Sequence, residues 1–130
     1  MITSEDVLPL LLEVCLSFTE RWKEHRAFFG EGFLYGDLDE FMQHIVELHE
    51  AGQTKELPRV FEVLERCYVD GDDEVQAAIT NAVLEGIRTT AKNGEEFVPY
   101  LHPESARQWQ QLETFWEDES SDERLLMESS

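Results

Sequence analysis

Apolar residues recur at helical spacing along almost the whole chain. Leu8, Leu11, Leu12, Cys15, Phe18 and Trp22 form a first stripe, the pattern of a helix with one buried face. Thr3 is placed to cap this helix, and Asp6 three residues on completes an approximate capping box. Pro9 falls in or just beyond the first turn, where it is tolerated or introduces a bend. A second stripe, Leu38, Phe41, Met42, Ile45, Val46 and His49, opens at Asp37 and closes at Ala51-Gly52. A third runs through Leu57, Val60, Phe61, Leu64, Cys67 and Tyr68, with Thr54 as its cap. Val75, Ala78, Ile79, Ala82, Val83 and Ile87 make the fourth, behind an Asp70-Gly71-Asp72-Asp73 turn and cap. A last helix opens near His102, with Pro103 suited to its first turn and Ala106, Trp109, Leu112, Phe115 and Trp116 at its apolar positions.

The links between these stripes are short, which favours antiparallel neighbours. The expected fold is therefore all-α: a single-domain antiparallel helical bundle or short stack of helical hairpins, with about five to six helices. The helical domain is expected over 1–116. Residues 117–130 change to acidic residues and serines and read as a disordered tail. Phe28 to Gly36 holds three glycines and several aromatics, so it reads as a connector packed down by its rings. Gly36-Asp37 and Gly71-Asp72 each open an amphipathic helix, but the faces align only after an offset, so the repeat signal is weak.

Charge changes the picture most. Asp and Glu total 29 against 10 Lys and Arg, a formal charge of -19 on 130 residues. Such an excess favours solubility, costs self-repulsion and argues against binding a nucleic-acid backbone or an anionic membrane. It suits a basic protein partner. No apolar run reaches the roughly 18 residues that span a bilayer. Val7 to Leu16, the most apolar stretch, follows Ser4, Glu5 and Asp6 where a secretory leader would carry basic residues, so the cytoplasm is the expected compartment. Cys15 and Cys67 lie on apolar faces and read as buried free thiols, with a disulfide as the alternative.

Candidate chemistry is sparse. Glu40, His44 and Glu47 share a helix face, yet the Glu-x-x-His pairs of a di-iron site and the His-Glu-x-x-His of a zincin are absent, so no metal is expected. Asp70, Asp72, Asp73 and Glu74 resemble the opening of a calcium loop, but Val75 and Asn81 stand where it needs Gly and Glu. Capping at the positive end of a helix dipole explains the same carboxyls. Neither cysteine sits where a thiolate would be favoured, Ser105 is not in a nucleophile elbow, and there is no glycine-rich phosphate loop. These absences point to a protein that is not an enzyme and uses no cofactor.

Phe97-Val98-Pro99-Tyr100-Leu101-His102-Pro103-Glu104-Ser105, followed by Trp109, Leu112, Phe115 and Trp116, resembles the ending of a family of small acidic all-helical bacterial proteins of unknown function. Gly36-Asp37-Leu38 and Gly71-Asp72-Asp73-Glu74-Val75 also resemble its pattern, and the likeness would cover most of residues 5–116. Gln110 departs from it where related chains look more aromatic. Members are similar in size and acidity to the immunity proteins of polymorphic toxins, so the resemblance implies that role and carries no catalytic residues with it.

The function expected is that of a non-catalytic binding protein, most concretely an immunity protein that occludes a toxin domain with an acidic surface. The alternatives are a DNA-mimic inhibitor of a DNA-binding protein or nuclease, and a general helical adaptor. The residues expected to meet a partner are Asp37, Asp39 and Glu40 at one helix start and Asp70, Asp72, Asp73 and Glu74 at another. Trp116, beside the tail, is added as the tryptophan expected to be partly exposed.

Overall fold

Thr3 and Asp6 open the first helix as expected: the Asp6 carboxylate accepts from the Thr3 backbone N–H at 2.9 Å. The fold is known from a computed structural model, which describes residues 1–30 and 32–114. Helix α1 spans Ser4–Val14, and the chain then departs from the single first helix that its apolar stripe predicts. Cys15 leaves the helical region, Leu16–Phe18 form a 3₁₀ turn, and α2 begins afresh at Thr19–Phe29. The cause is a contact from far along the chain. Glu56 accepts from the Ser17 backbone N–H at 3.3 Å and from the Ser17 hydroxyl, satisfying donors that a new helix start exposes.

Helix α3, Leu34–Glu50, starts three residues before the expected Asp37. Gly36 thus lies inside a helix whereas Gly71 precedes one, and the weak repeat does not hold in space. At its end Gly52 adopts a positive φ of 75°, as the Ala51-Gly52 stop requires. Helix α4, Leu57–Asp70, opens with Thr54 supplying its carbonyl to the Leu57 N–H at 3.2 Å rather than capping through its hydroxyl.

The fourth stripe is one continuous rod of three segments. Asp72 caps α5 (Asp73–Ala78) by accepting from the Val75 N–H at 2.9 Å. A π-helical stretch, Ile79–Leu84, follows and passes into α6, Glu85–Thr90. The wider turn brings Leu84, absent from the 3.6-residue stripe, into the core at 1% exposure. A 3₁₀ segment, Gly94–Tyr100, places Phe97 inside and stacks Tyr100 on Phe61, with ring centroids 5.3 Å apart. Residues 103–114 form α7.

The core is one cluster. Helix α1 packs on α4, while α3 packs on the π stretch and α6. Phe18, Phe41, Phe61 and Phe97 are its largest fully buried side chains, and Trp109 closes it at 2% exposure. The all-α class is as expected. Among the described residues the one extended pairing is a bridge between Ile2 and Gly71. Cys15 and Cys67 are buried free thiols, and burial pushes each thiol up to about 11.

Candidate functional site

The Ile2–Gly71 bridge decides where the acidic clusters lie. The Ile2 N–H donates to the Asp70 carbonyl at 2.8 Å, and the Asp72 N–H donates to the Ile2 carbonyl at 3.0 Å. The start of α1 is thereby fastened to the start of α5. Exposed Glu5 and Asp6 join exposed Asp70, Asp73 and Glu74 at one end of the molecule. Neither segment forming this end, 1–20 or 67–87, contains a Lys, Arg or His. These two segments therefore supply carboxyls and no basic side chain to this end.

A cavity of about 400 Å³ opens at this end, where α1, α3 and α5 all begin. Its apolar lining includes Leu8, Leu12, Trp22 and Leu34, and its polar lining Glu5, Asp37, Glu74 and Arg26. One carboxyl from each predicted acidic helix start, Asp37 and Glu74, thus meets in a single hollow. Arg26 lies over the Trp22 ring, 5.1 Å from its centroid, a cation–π arrangement that also orders the wall.

The predicted site residues divide on inspection. Asp73 and Glu74 are exposed in the first turn of α5, and Asp70 is exposed beside them. Asp72 is half-buried and committed to its cap. Asp37 is not part of an open surface: its side chain is 10% exposed and its Oδ1 lies 2.9 Å from His25 Nε2, itself 7% exposed. Glu40 is tied to Arg21 at 2.7 Å, and Arg21 also reaches Glu47 at 2.5 Å. Asp39 is exposed and accepts from the Gln43 amide at 2.8 Å. Trp116 and the tail over 117–130 lie outside the described residues.

The Phe28–Gly36 connector contradicts its expected reading. Phe28, Phe29 and Phe33 are 82%, 64% and 63% exposed, so these rings are presented to solvent rather than packed down. Phe28 and Phe29 belong to a ladder of aromatic contacts that runs inward. Phe28 meets Phe29 edge-on at 4.7 Å, Phe29 meets His25 at 4.9 Å, and His25 stacks on Trp22 at 5.9 Å. Trp22 in turn approaches the buried Phe18 at 6.1 Å. Phe28 and Phe29 are therefore braced by a ladder that reaches Trp22, which lines the cavity together with Phe33.

A second polar group joins Ser17, His44 and Glu56. The Ser17 Oγ lies 2.9 Å from His44 Nε2, and the Ser17 hydroxyl donates to Glu56. Burial raises the Glu56 carboxyl, but hydrogen bonds from Ser17 and the Leu16 backbone outweigh it and hold the group below its ordinary value. Burial, aided by Arg21, pulls the His44 imidazole below its usual value. An ionised Glu56 can only accept, so the single Ser17 proton is directed to it and His44 Nε2 becomes the donor. With no lone pair facing the hydroxyl, His44 fastens this turn instead of activating Ser17. Among the described residues, no three His, Cys, Asp or Glu side chains converge as metal ligands would.

Sequence reasoning missed the cavity's non-acidic half: Trp22, Arg26, Phe33 and Leu34. One signal pointed there, the aromatic run interrupted by glycines at 28–36.

Fold and site together define an all-α protein with a cavity lined by three carboxyls and one arginine and bordered by the exposed Phe33 ring. The chain belongs to the family described as Domain of unknown function (DUF7674), whose model matches residues 8–117. The match takes in Asp37, Glu74 and the aromatic ladder, whereas Glu5 precedes it. No curated protein and no solved structure matches the chain.

Proposed function

We infer that this protein is a stoichiometric binding protein for a basic protein partner, in its most concrete form an immunity protein that covers a toxin domain. The observation that carries the reading is the coincidence of two features at one end of the molecule. Three carboxyls, Glu5, Asp37 and Glu74, outnumber the Arg26 guanidinium around a cavity that exposed Phe33 also lines, and exposed Phe28 and Phe29 connect to its Trp22 wall through His25. Large exposed aromatics at the edge of a cavity are the residue type that dominates interface energetics, and braced rings lose little freedom on binding. The surrounding charge would steer a basic partner and speed its association.

The rings favour a protein partner over pure phosphate mimicry, which needs carboxyls alone. The test is co-expression with the partner toxin, or direct binding to it, using Phe28→Ser/Phe33→Ser. The double variant is expected to fold normally and to lose protection or binding by at least about tenfold, as for hot-spot aromatics. Full protection by that variant overturns the placement of the interface.

A further inference from the structure

We propose that the cavity between the starts of α1, α3 and α5 is a socket for one cationic side chain, an arginine or lysine of the partner. This rests on the reading of the protein as a binder of a basic partner, and it names what that partner inserts. The floor and wall supplied by Leu8, Leu12, Trp22 and Leu34 suit an aliphatic stem, which buries its methylenes wherever its charged head remains satisfied. Glu5, Asp37 and Glu74 place three carboxyls around the same space against the single guanidinium of Arg26. The balance in the socket is therefore negative, as it is over the whole chain. At about 400 Å³ the cavity lies towards the small end of ligand pockets, which run from roughly 300 to 1,000 Å³. One long side chain fits that volume better than a folded segment does.

The rim also suits a side chain delivered by a protein. Phe33 lines the cavity and is 63% exposed, so a backbone carrying the cation would rest against it. Asp37 is held in place by His25 from within, and it presents a fixed acceptor instead of a mobile one. Glu5 and Glu74 are exposed at the mouth and can close on the head group from two helices.

The probe is n-butylguanidinium, titrated into the isotopically labelled full chain and followed by amide and indole resonances, with n-butylammonium and the uncharged n-butylurea alongside. Saturable shifts are expected at Gly32, Leu34 and the Trp22 indole for both cations. Binding of n-butylurea should be weaker by about fivefold or more, since it lacks the charge that the carboxyls recognise. Glu5→Gln/Glu74→Gln, at exposed positions where folding is not at stake, should weaken the cations by about fivefold and leave n-butylurea unchanged. Pro9→Trp fills the mouth without altering charge and should abolish saturable binding while the unfolding midpoint does not fall, since it also removes a proline from inside α1. Equal binding of n-butylurea, or unsaturable shifts spread equally over distant acidic positions such as Glu50 and Glu62, would overturn the socket. A partner bound in a salt-sensitive way but indifferent to Pro9→Trp would also overturn it, and would leave the binding function standing.

Discussion

Glu65 shows how a single acidic residue can be structural in a chain with an excess of carboxylates. It reaches from α4 to the start of α7, where it accepts from the Glu104 and Ser105 N–H groups, each at 2.8 Å, and from the Ser105 hydroxyl at 2.6 Å. The Pro-Glu-Ser turn that carried the family resemblance is thus a helix start clamped by a distant carboxylate. Glu65→Ala strands those donors and should cost about 2–3 kcal/mol in denaturant unfolding, whereas Ser105→Ala should cost about 1. Burial raises the Glu65 carboxyl, but its hydrogen bonds, first that from Ser105, hold it below its usual 4.5. Glu56 behaves likewise. Because both folded values are depressed, the stability they contribute is complete above about pH 4.5 and is lost as the pH falls through the lower folded values. Acid unfolding of Glu65→Gln should therefore be shallower than that of the wild type, and an unchanged acid limb would refute the assignment. The two cysteines give a separate check. With both thiols at about 11 and buried, a thiol reagent at neutral pH should modify neither in the folded protein and both after unfolding.

Helices with long, regular stripes were the most legible elements, and their departures have identifiable causes. Leu38 to His49 and Leu57 to Tyr68 read correctly because every third or fourth apolar side chain meets a partner. The break at Cys15 was hidden, since the stripe runs on through Phe18 to Trp22 and the cause, Glu56, lies far along the chain. The π stretch was hidden for another reason: it keeps helical dihedrals and only shifts which residues face inward, adding Leu84. Gly71 was legible as a turn, but its reason is tertiary. A Cβ there would overlap the Cys67 carbonyl and the Val75 side chain, at the place where Ile2 crosses. Gly71→Ala should cost about 1–3 kcal/mol by overpacking and loosen the α1 and α5 starts together, visible as faster amide exchange at Ile2 and Asp72. Unchanged exchange at both would show that the bridge does not depend on that glycine.

At the scale of the whole molecule, the acidic excess was read directly from composition, but its geography was not. One carboxyl of each predicted cluster, Asp37 and Glu74, lines the same cavity, and a short bridge fastens its α1 and α5 sides together. A chain of charge -19 repels itself, so 0.5 M potassium chloride should raise its melting temperature, while the same salt should slow association with a basic partner. Phe28→Ser/Phe33→Ser, at exposed rings, should change stability by no more than about 0.5 kcal/mol. The decisive measurement is parallel capture of partners from the cell of origin with the wild-type protein, with Glu5→Lys/Asp73→Lys/Glu74→Lys and with Glu50→Lys. Glu50 lies about 20 Å along α3 from Asp37, far from the cavity. A basic protein captured in stoichiometric yield by the wild type and by Glu50→Lys, released by salt and lost with the triple variant, is the outcome expected of an acidic binding surface at this end. A partner held equally by the triple variant, or one that is itself acidic, would contradict it.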